Sequence, residues 1–307
     1  MADVGEGRGG PLKVRIGYSA GAAGAADPAV FAHLVDALER LGFDSVWVPE
    51  VLTGASFDPL TALGFAAGRT SRLKLGSHLI APGRNPARLA KELATLDRLS
   101  GGRLLLTFVI GLPEGPELSA GGVPRADRVG VLDETLVLLR RLWRGERVTH
   151  HGRWFDLDAV SIEPTPQQSP LEVWYGGLLP SALRRCGELA DGWIPGLITP
   201  ERAAAAKGDI ERAAAAAGRR IDPEHFGANV SYSAGPLLPE VRERLAARYR
   251  DAEPEELVPD SLGALVDRLE AFRAAGFSKF VLRPAAPGPV DGAALEALAE
   301  AVLPLHA

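Results

Sequence analysis

Leu41-Gly42-Phe43-Asp44-Ser45-Val46-Trp47-Val48-Pro49-Glu50 is the stretch on which the fold turns. Gly42 closes a helical pattern that carries Phe31, Leu34, Leu38 and Leu41 at i, i+3, i+4 spacing. Ser45 to Val48 is short and apolar and reads as a buried strand. The helix before it opens at Asp27-Pro28, a capping carboxylate followed by proline in the first helical position. The same punctuation recurs downstream. Asp58-Pro59 opens a helix toward Arg69, and Leu73 to Ile80 is the next strand. Asn85-Pro86 opens a helix carrying Leu89, Leu93 and Leu96, and Arg103 to Val109 follows as a strand. Val14 to Tyr18 is the strand that precedes all of these.

The rhythm continues in the second half. Strands are predicted at Glu172 to Tyr175, Gly192 to Pro195, Phe226 to Tyr232 and Lys279 to Arg283. Ser181, Thr199-Pro200, Asp260 and Asp291 are the expected starts of the helices between and after them. Eight strands alternating with helices in 307 residues predict a parallel sheet closed into an α/β (β/α)8 TIM barrel. An open Rossmann sheet is disfavoured, because no G-x-G-x-x-G follows the first strand. Leu112 to Arg128 reads as an irregular loop, Val148 to Leu157 as a small hairpin, and Pro164 to Pro170 as a connection. Residues 1–12 are Gly-rich and polar and read as a flexible segment; residues 13–307 read as one barrel domain.

Composition narrows the partners. With 34 Lys and Arg against 39 Asp and Glu, the chain carries a formal charge of −5 and has no basic cluster, which argues against nucleic acid or an anionic membrane. No run approaches the ~18 apolar residues of a membrane span. The single cysteine, Cys186, excludes an internal disulfide and fits a reduced, cytoplasmic setting. No metal site is expected: His150 and His151 are neighbours on a predicted strand and point to opposite faces. No G-x-S-x-G elbow or Walker loop is present.

In such a barrel the C-terminal strand ends face the site. There the sequence places Glu50, His78, Thr107 to Gly111, and Tyr175-Gly176-Gly177. Two glycines let backbone approach a ligand, and the helix start at Ser181 offers free N–H groups and a partial positive charge, a place for a phosphate. Glu50 is a candidate proton donor or ligand contact, or else the partner of a loop arginine such as Arg84; His78 is a structural histidine or a second proton-donor candidate.

Several motifs together carry a resemblance: Leu41 to Glu50, Asp58-Pro59-Leu60-Thr61-Ala62-Leu63, Thr70 to Gly76, Asn85 to Lys91, Ala94-Thr95-Leu96-Asp97-Arg98-Leu99-Ser100-Gly101-Gly102-Arg103, Asp133-Glu134, Leu139 to Trp143, and Ala190-Asp191-Gly192-Trp193. From about Val14 to Arg283 the chain resembles the luciferase-like flavin-dependent oxidoreductases, above all those that use the deazaflavin coenzyme F420. The resemblance implies a TIM barrel, hydride transfer between F420 and a small organic substrate, and a homodimer. It implies that Ser77, His78 and Leu79 line the coenzyme ring, often across a non-proline cis peptide. It puts Val109, Ile110 and Gly111 at the ring's other edge, and gives the phosphate to Gly176, Gly177, Leu178, Leu179 and Ser181. Glu50 or His78 is then the catalytic proton donor. Two further readings stand beside this one: an FMN-dependent monooxygenase using O2, and a non-catalytic paralogue that binds flavin or deazaflavin. A plain phosphosugar-binding barrel is a weaker fourth.

Three positions depart from the family pattern. Val51 stands where many F420 relatives have histidine, and Leu112 stands where one subgroup has an acidic residue. Thr107-Phe108-Val109-Ile110-Gly111 replaces the usual Gly-x-Gly run, so Thr107 and Phe108 either narrow the pocket or repack the strand.

Overall fold

Pro28–Leu41 (α1), Pro59–Arg69 (α2) and Pro86–Leu99 (α3) form as expected, because each opens with a capping side chain and a proline. Asp27 accepts from the Ala29 N–H at 2.8 Å, Asp58 from Thr61 at 2.9 Å, and Asn85 from Arg88 at 3.0 Å. Gly42 takes the left-handed conformation that ends α1, with φ +93°. These elements belong to a computed structural model that describes residues 12–21, 27–112, 115–250, 252–286 and 291–306. The expected flexible segment lies, apart from Leu12, outside the described residues.

Among the described residues, eight parallel strands make the main sheet. They are β1 (Arg15–Ser19), β2 (Ser45–Pro49), β3 (Lys74–Ile80), β4 (Leu104–Val109), β7 (Val173–Tyr175), β8 (Gly192–Trp193), β9 (Gly227–Tyr232) and β10 (Lys279–Pro284). A two-stranded hairpin, β5 (Val148–His151) with β6 (Asp156–Val160), interrupts the series as expected. The spatial order is β8-β7-β4-β3-β2-β1-β10-β9, and a bridge from Trp193 to Phe226 joins the two ends. The sheet is thus a nearly closed (β/α)8 barrel. The remaining helices are α4 (Pro116–Ala120), α5 (Arg128–Trp143), α6 (Pro180–Leu189), α7 (Pro200–Ala216), α8 (Pro239–Arg248), α9 (Pro254–Leu257), α10 (Leu262–Ala274) and α11 (Gly292–Val302).

Two helix starts differ from expectation. α6 begins at Pro180 with Leu179 as its N-cap, so Ser181 lies in the first turn and does not cap it. α10 is capped by Ser261, whose hydroxyl accepts from the Ala264 N–H at 3.2 Å, and not by Asp260. In both places a neighbouring polar residue drew the expectation one or two positions away from the residue whose backbone is extended.

Side chains alternate between the lumen and the helical layer. The lumen is filled by Trp47, Trp174, Ile194 and Val281, with Leu105 against them. Trp47 is 1% exposed and fits because Gly17 and Gly76 flank it; a Cβ on Gly76 would overlap the indole. The opposite faces of the strands join α1, α2, α3, α5, α6, α7, α10 and α11 in one continuous apolar cluster, while α8 and α9 pack in a smaller one of their own.

The motifs that recur along the chain are largely structural. Asp97 is fully buried and accepts from the Gln167 and Gln168 N–H groups at 2.7 and 2.8 Å, tying down the Pro/Gln connection. Arg103 donates to the carbonyls of Ala67, Thr70 and Leu73, closing the C-terminal end of α2. Arg140 grips Asp191 with two contacts of 2.8 and 2.9 Å, and Asp191 in turn accepts from the Val173 N–H.

Candidate functional site

The C-terminal strand ends form a mouth with three distinct parts. One is the turn from β7 into α6. Gly177 has φ +107°, and a Cβ on it would sit 3.0 Å from the Ala182 Cβ. The Gly176 N–H donates to Phe108 O at 3.2 Å, and Trp193 Nε1 donates to Gly177 O at 3.1 Å. The turn is therefore pinned from β4 on one side and β8 on the other. No side chain caps α6; Pro180 has no N–H, and those of Ala182 and Leu183 donate to Leu179 O at 2.8 and 3.0 Å, which leaves the Ser181 N–H of the first turn without a helical partner, beside exposed Leu178 and Leu179. Bare backbone and a positive dipole end are the features that suit an anion.

The second part is the floor. His78 and Thr107 are paired in register on β3 and β4, and both face the lumen. Asn229, on β9 across the mouth, donates from Nδ2 to Pro195 O at 2.6 Å and lies 3.1 Å from His78 Nε2. A carbonyl only accepts, so the amide orientation is fixed and His78 Nε2 must accept as well. His78 is then a neutral imidazole with its proton on Nδ1. Burial, with the Arg283 charge adding to it, pushes its pKa from 6.5 down to about 4. Thr107 Oγ1 is buried without a hydrogen-bond partner. A buried orphan hydroxyl beside a half-buried imidazole suits a polar group of a bound ring. Asn229 escaped the sequence reading; the signal was the polar or small residue at every second position of Gly227, Asn229 and Ser231, which marks a lumen face.

The third part is a cleft of 360 Å3 between α8 and the ends of β1, β9 and β10, with Arg244, Arg248 and Arg283 in its wall.

The expected site residues do not all converge. Val109 faces the lumen and meets Gly176, with its Cγ1 3.0 Å from where a Gly176 Cβ would stand. Ile110 is exposed at the rim next to Gly111. Ser77 and Leu79 point to the helical layer, Ser77 Oγ donating to Val48 O at 2.9 Å, so they reach the mouth only with backbone. The cis peptide bonds of the described residues are Glu163–Pro164 and Ser169–Pro170; those flanking His78 are trans. Glu50 also turns away from the lumen. Its carboxylate accepts from the Ile80 N–H at 2.6 Å and from Arg84 Nη2 at 2.6 Å. Desolvation raises its pKa even though Arg84 and Ile80 pull the other way. This is the arginine pairing that was the alternative for Glu50.

Phe108 does not plug the mouth: it packs in the outer cluster, in register with Leu79 and Tyr175. Arg128, also missed in the sequence, holds the rim after β4 by donating to Ile110 O and Leu112 O at 3.0 Å each. Cys186 is fully buried, its thiol pushed up to about 12 by desolvation, and is no nucleophile. His150 ties the hairpin to Glu134 of α5 at 3.0 Å, and exposed His151 pairs with Asp156 within the hairpin at 2.6 Å.

The mouth of this TIM barrel thus joins a glycine turn at a helix start to a polar floor. Residues 12–283 match the luciferase-like monooxygenase family, and the chain belongs to it. An F420-dependent glucose-6-phosphate dehydrogenase of Nakamurella multipartita is 33% identical over 228 residues, 69% of this chain and 65% of that protein. A phthiodiolone/phenolphthiodiolone dimycocerosates ketoreductase of Mycobacterium kansasii is 36% identical over 187 residues, 59% of this chain and 50% of that protein. The matches thus span between half and just under two thirds of these relatives' own length. Among solved structures, an F420-dependent secondary alcohol dehydrogenase in complex with an F420-acetone adduct superposes with a TM-score of 0.81. It is 20% identical, and the match covers 96% of this chain and 100% of that one, which speaks for the fold.

Proposed function

We propose that the protein is a coenzyme F420-dependent oxidoreductase that transfers a hydride between the deazaflavin and a small organic substrate. The observation that carries the reading is the pairing, on one barrel mouth, of the bare cradle at Gly176 to Ser181 with the neutral imidazole of His78. The relatives' F420 dependence supports that coenzyme over FMN.

When bound, F420 supplies the hydride chemistry. The residues of this chain hold and shield it. The backbone N–H groups of Gly177, Leu178, Leu179 and Ser181 would hold the phosphate (Pro180 has none to offer), and Val109 would wall the ring. Exposed Ile110, Leu178 and Leu179 are placed to exclude water from the rim. His78 Nδ1–H would donate a hydrogen bond to the oxygen borne by the carbon that gains or loses the hydride. Glu50, held by Arg84 and Ile80, buttresses the β2–β3 rim in this reading and takes no part in proton transfer. A homodimer and a cytoplasmic setting complete the proposal; light scattering of the purified protein tests the former.

Separate calorimetric titrations with F420 and with FMN decide the coenzyme, with saturable binding expected for F420. FMN binding without F420 binding would move the assignment to an FMN-dependent monooxygenase. Tight F420 binding with no stopped-flow oxidation of reduced F420 by aldehydes, ketones or enoates would instead support the non-catalytic paralogue. The cradle has its own test. Gly177→Val forces a branched side chain into φ +107°, a strain of about 1–3 kcal/mol, and crowds Ala182. The F420 dissociation constant is expected to rise about tenfold or more by calorimetry.

A further inference from the structure

We infer that the substrate carries an oxyanion, a carboxylate or a phosphate on a partly apolar body, and that Arg244, Arg248 and Arg283 receive it in the cleft beside His78. The inference rests on the oxidoreductase reading for its placement at the reacting end of the mouth. The cleft itself stands on geometry.

Its wall holds three guanidiniums and no carboxylate among the described lining residues. Arg244 and Arg248 lie one helical turn apart on α8, on the side that also carries Val241 and Leu245. Those two apolar residues bury against Leu197, Leu257 and Val258, which fixes the helix over the mouth. Arg283 comes from the end of β10. Arg244 spends one N–H on Ala285 O at 3.2 Å, and Arg248 stacks over Tyr249 at 5.8 Å. Arg283 has no hydrogen bond or ion pair within the described residues. Partial desolvation lowers its pKa, Tyr249 in the same wall pulls the other way, and Arg244 and Arg248 repel it. All three side chains are exposed to solvent, so water screens part of their mutual repulsion, and an anion set among them would gain charge-assisted hydrogen bonds from each.

A second, independent feature points the same way. Ser231 lines the cleft, is 1% exposed, and its hydroxyl is buried without a partner. A buried hydroxyl aimed at a cluster of donors is a further hydrogen bond waiting for a ligand oxygen. The cleft is not the phosphate cradle. That lies on β7 and α6, whereas this wall is built on β1, β9, β10 and α8. Arg283 is near enough for its charge to act on His78. An anion held here therefore leaves the rest of the molecule reaching toward the imidazole. The apolar part of the wall, Val241, Leu245 and Val258, takes the adjoining carbon skeleton.

Calorimetry on the purified chain without coenzyme tests this, using phenyl phosphate, phenylacetate and neutral benzyl alcohol as probes. At least one anion is expected to bind, and to bind at least tenfold more tightly than the alcohol. The phosphate and carboxylate arms tell which oxyanion is preferred. Arg283→Met is expected to weaken the anion about ten- to a hundred-fold. The surface variant Arg244→Gln/Arg248→Gln, which leaves the strand intact, is expected to weaken it as well. F420 affinity, titrated separately, is expected to stay the same in both variants. Equal binding of anion and alcohol, or anion binding that neither variant alters, overturns the inference. So does displacement of the anion by F420, which would give the cleft to the coenzyme. Failure of F420 to bind the wild type, with anion binding intact, would sink the oxidoreductase reading and leave the anion cleft standing.

Discussion

Replacing His78 with alanine is expected to slow hydride transfer by about 10²–10³, the usual cost of losing one preorganised donor at a developing oxyanion. Coenzyme affinity should stay within a few-fold, because the proposed phosphate site at Gly176 to Ser181 lies on the other side of the mouth. The argument runs through Asn229. Its amide is committed to Pro195 O, so it presents an N–H to His78 Nε2 and leaves the proton on Nδ1. Single-turnover stopped-flow separates the rate from binding. A rate unchanged in His78→Ala would remove the residue from the chemistry.

The same residue sets a pH dependence. The folded-state pKa of about 4 lies below the 6.5 of an unfolded chain. The unfolded state therefore takes the proton first as pH falls. The stabilisation is fully present above about pH 6.5 and is lost toward pH 4, roughly 3 kcal/mol in all. Equilibrium unfolding of wild type against His78→Gln between pH 7 and 4 should show the variant with the shallower loss. The imidazole stays neutral over pH 5.5–8, so His78 adds no inflection to the rate profile there.

Trp47→Ala is expected to cost about 3–5 kcal/mol of stability, the range for emptying a large aromatic site in a core. Trp47 is 1% exposed in the lumen, its indole N–H donating to Ser45 Oγ at 3.0 Å. It stands between two glycines, lies 5.0 Å from the His78 ring, and packs with Trp174, Ile194 and Val281. The barrel cannot collapse onto the gap, because its radius is set by strand number and stagger. Urea denaturation gives the loss directly. A change under 1 kcal/mol would mean that the lumen is not close-packed around this residue.

The eight strands were legible because each is short, apolar and set off by Asp-Pro, Asn-Pro, Thr-Pro or glycine punctuation, signals that act over a few residues. The glycine turn from β7 into α6 was legible for the same reason: a double glycine before a helix has a local meaning. The helix starts at Leu179 and Ser261 were not, because a cap is defined by backbone angles, and Ser181 and Asp260 look equally able. The helix carrying Arg244 and Arg248 was passed over as well. Its pattern is polar and its apolar face narrow, Val241 and Leu245, which pack in a small separate cluster with Leu197, Leu257 and Val258.

What the sequence by itself determined is therefore the order of elements, the class of barrel, and the residues at the strand tips. Tertiary structure alone decided which of those residues share a surface. Glu50 and His78 stand at equivalent strand ends, yet one residue of pleat sends Glu50 outward to Arg84 and His78 inward to Asn229, 151 residues away. Phe108 and Thr107 are neighbours, and the same alternation puts the ring in the helical layer and the orphan hydroxyl in the lumen. The lining of a site is fixed by pleat parity and by contacts across the closed sheet, and both depend on the register between strands far apart in the chain.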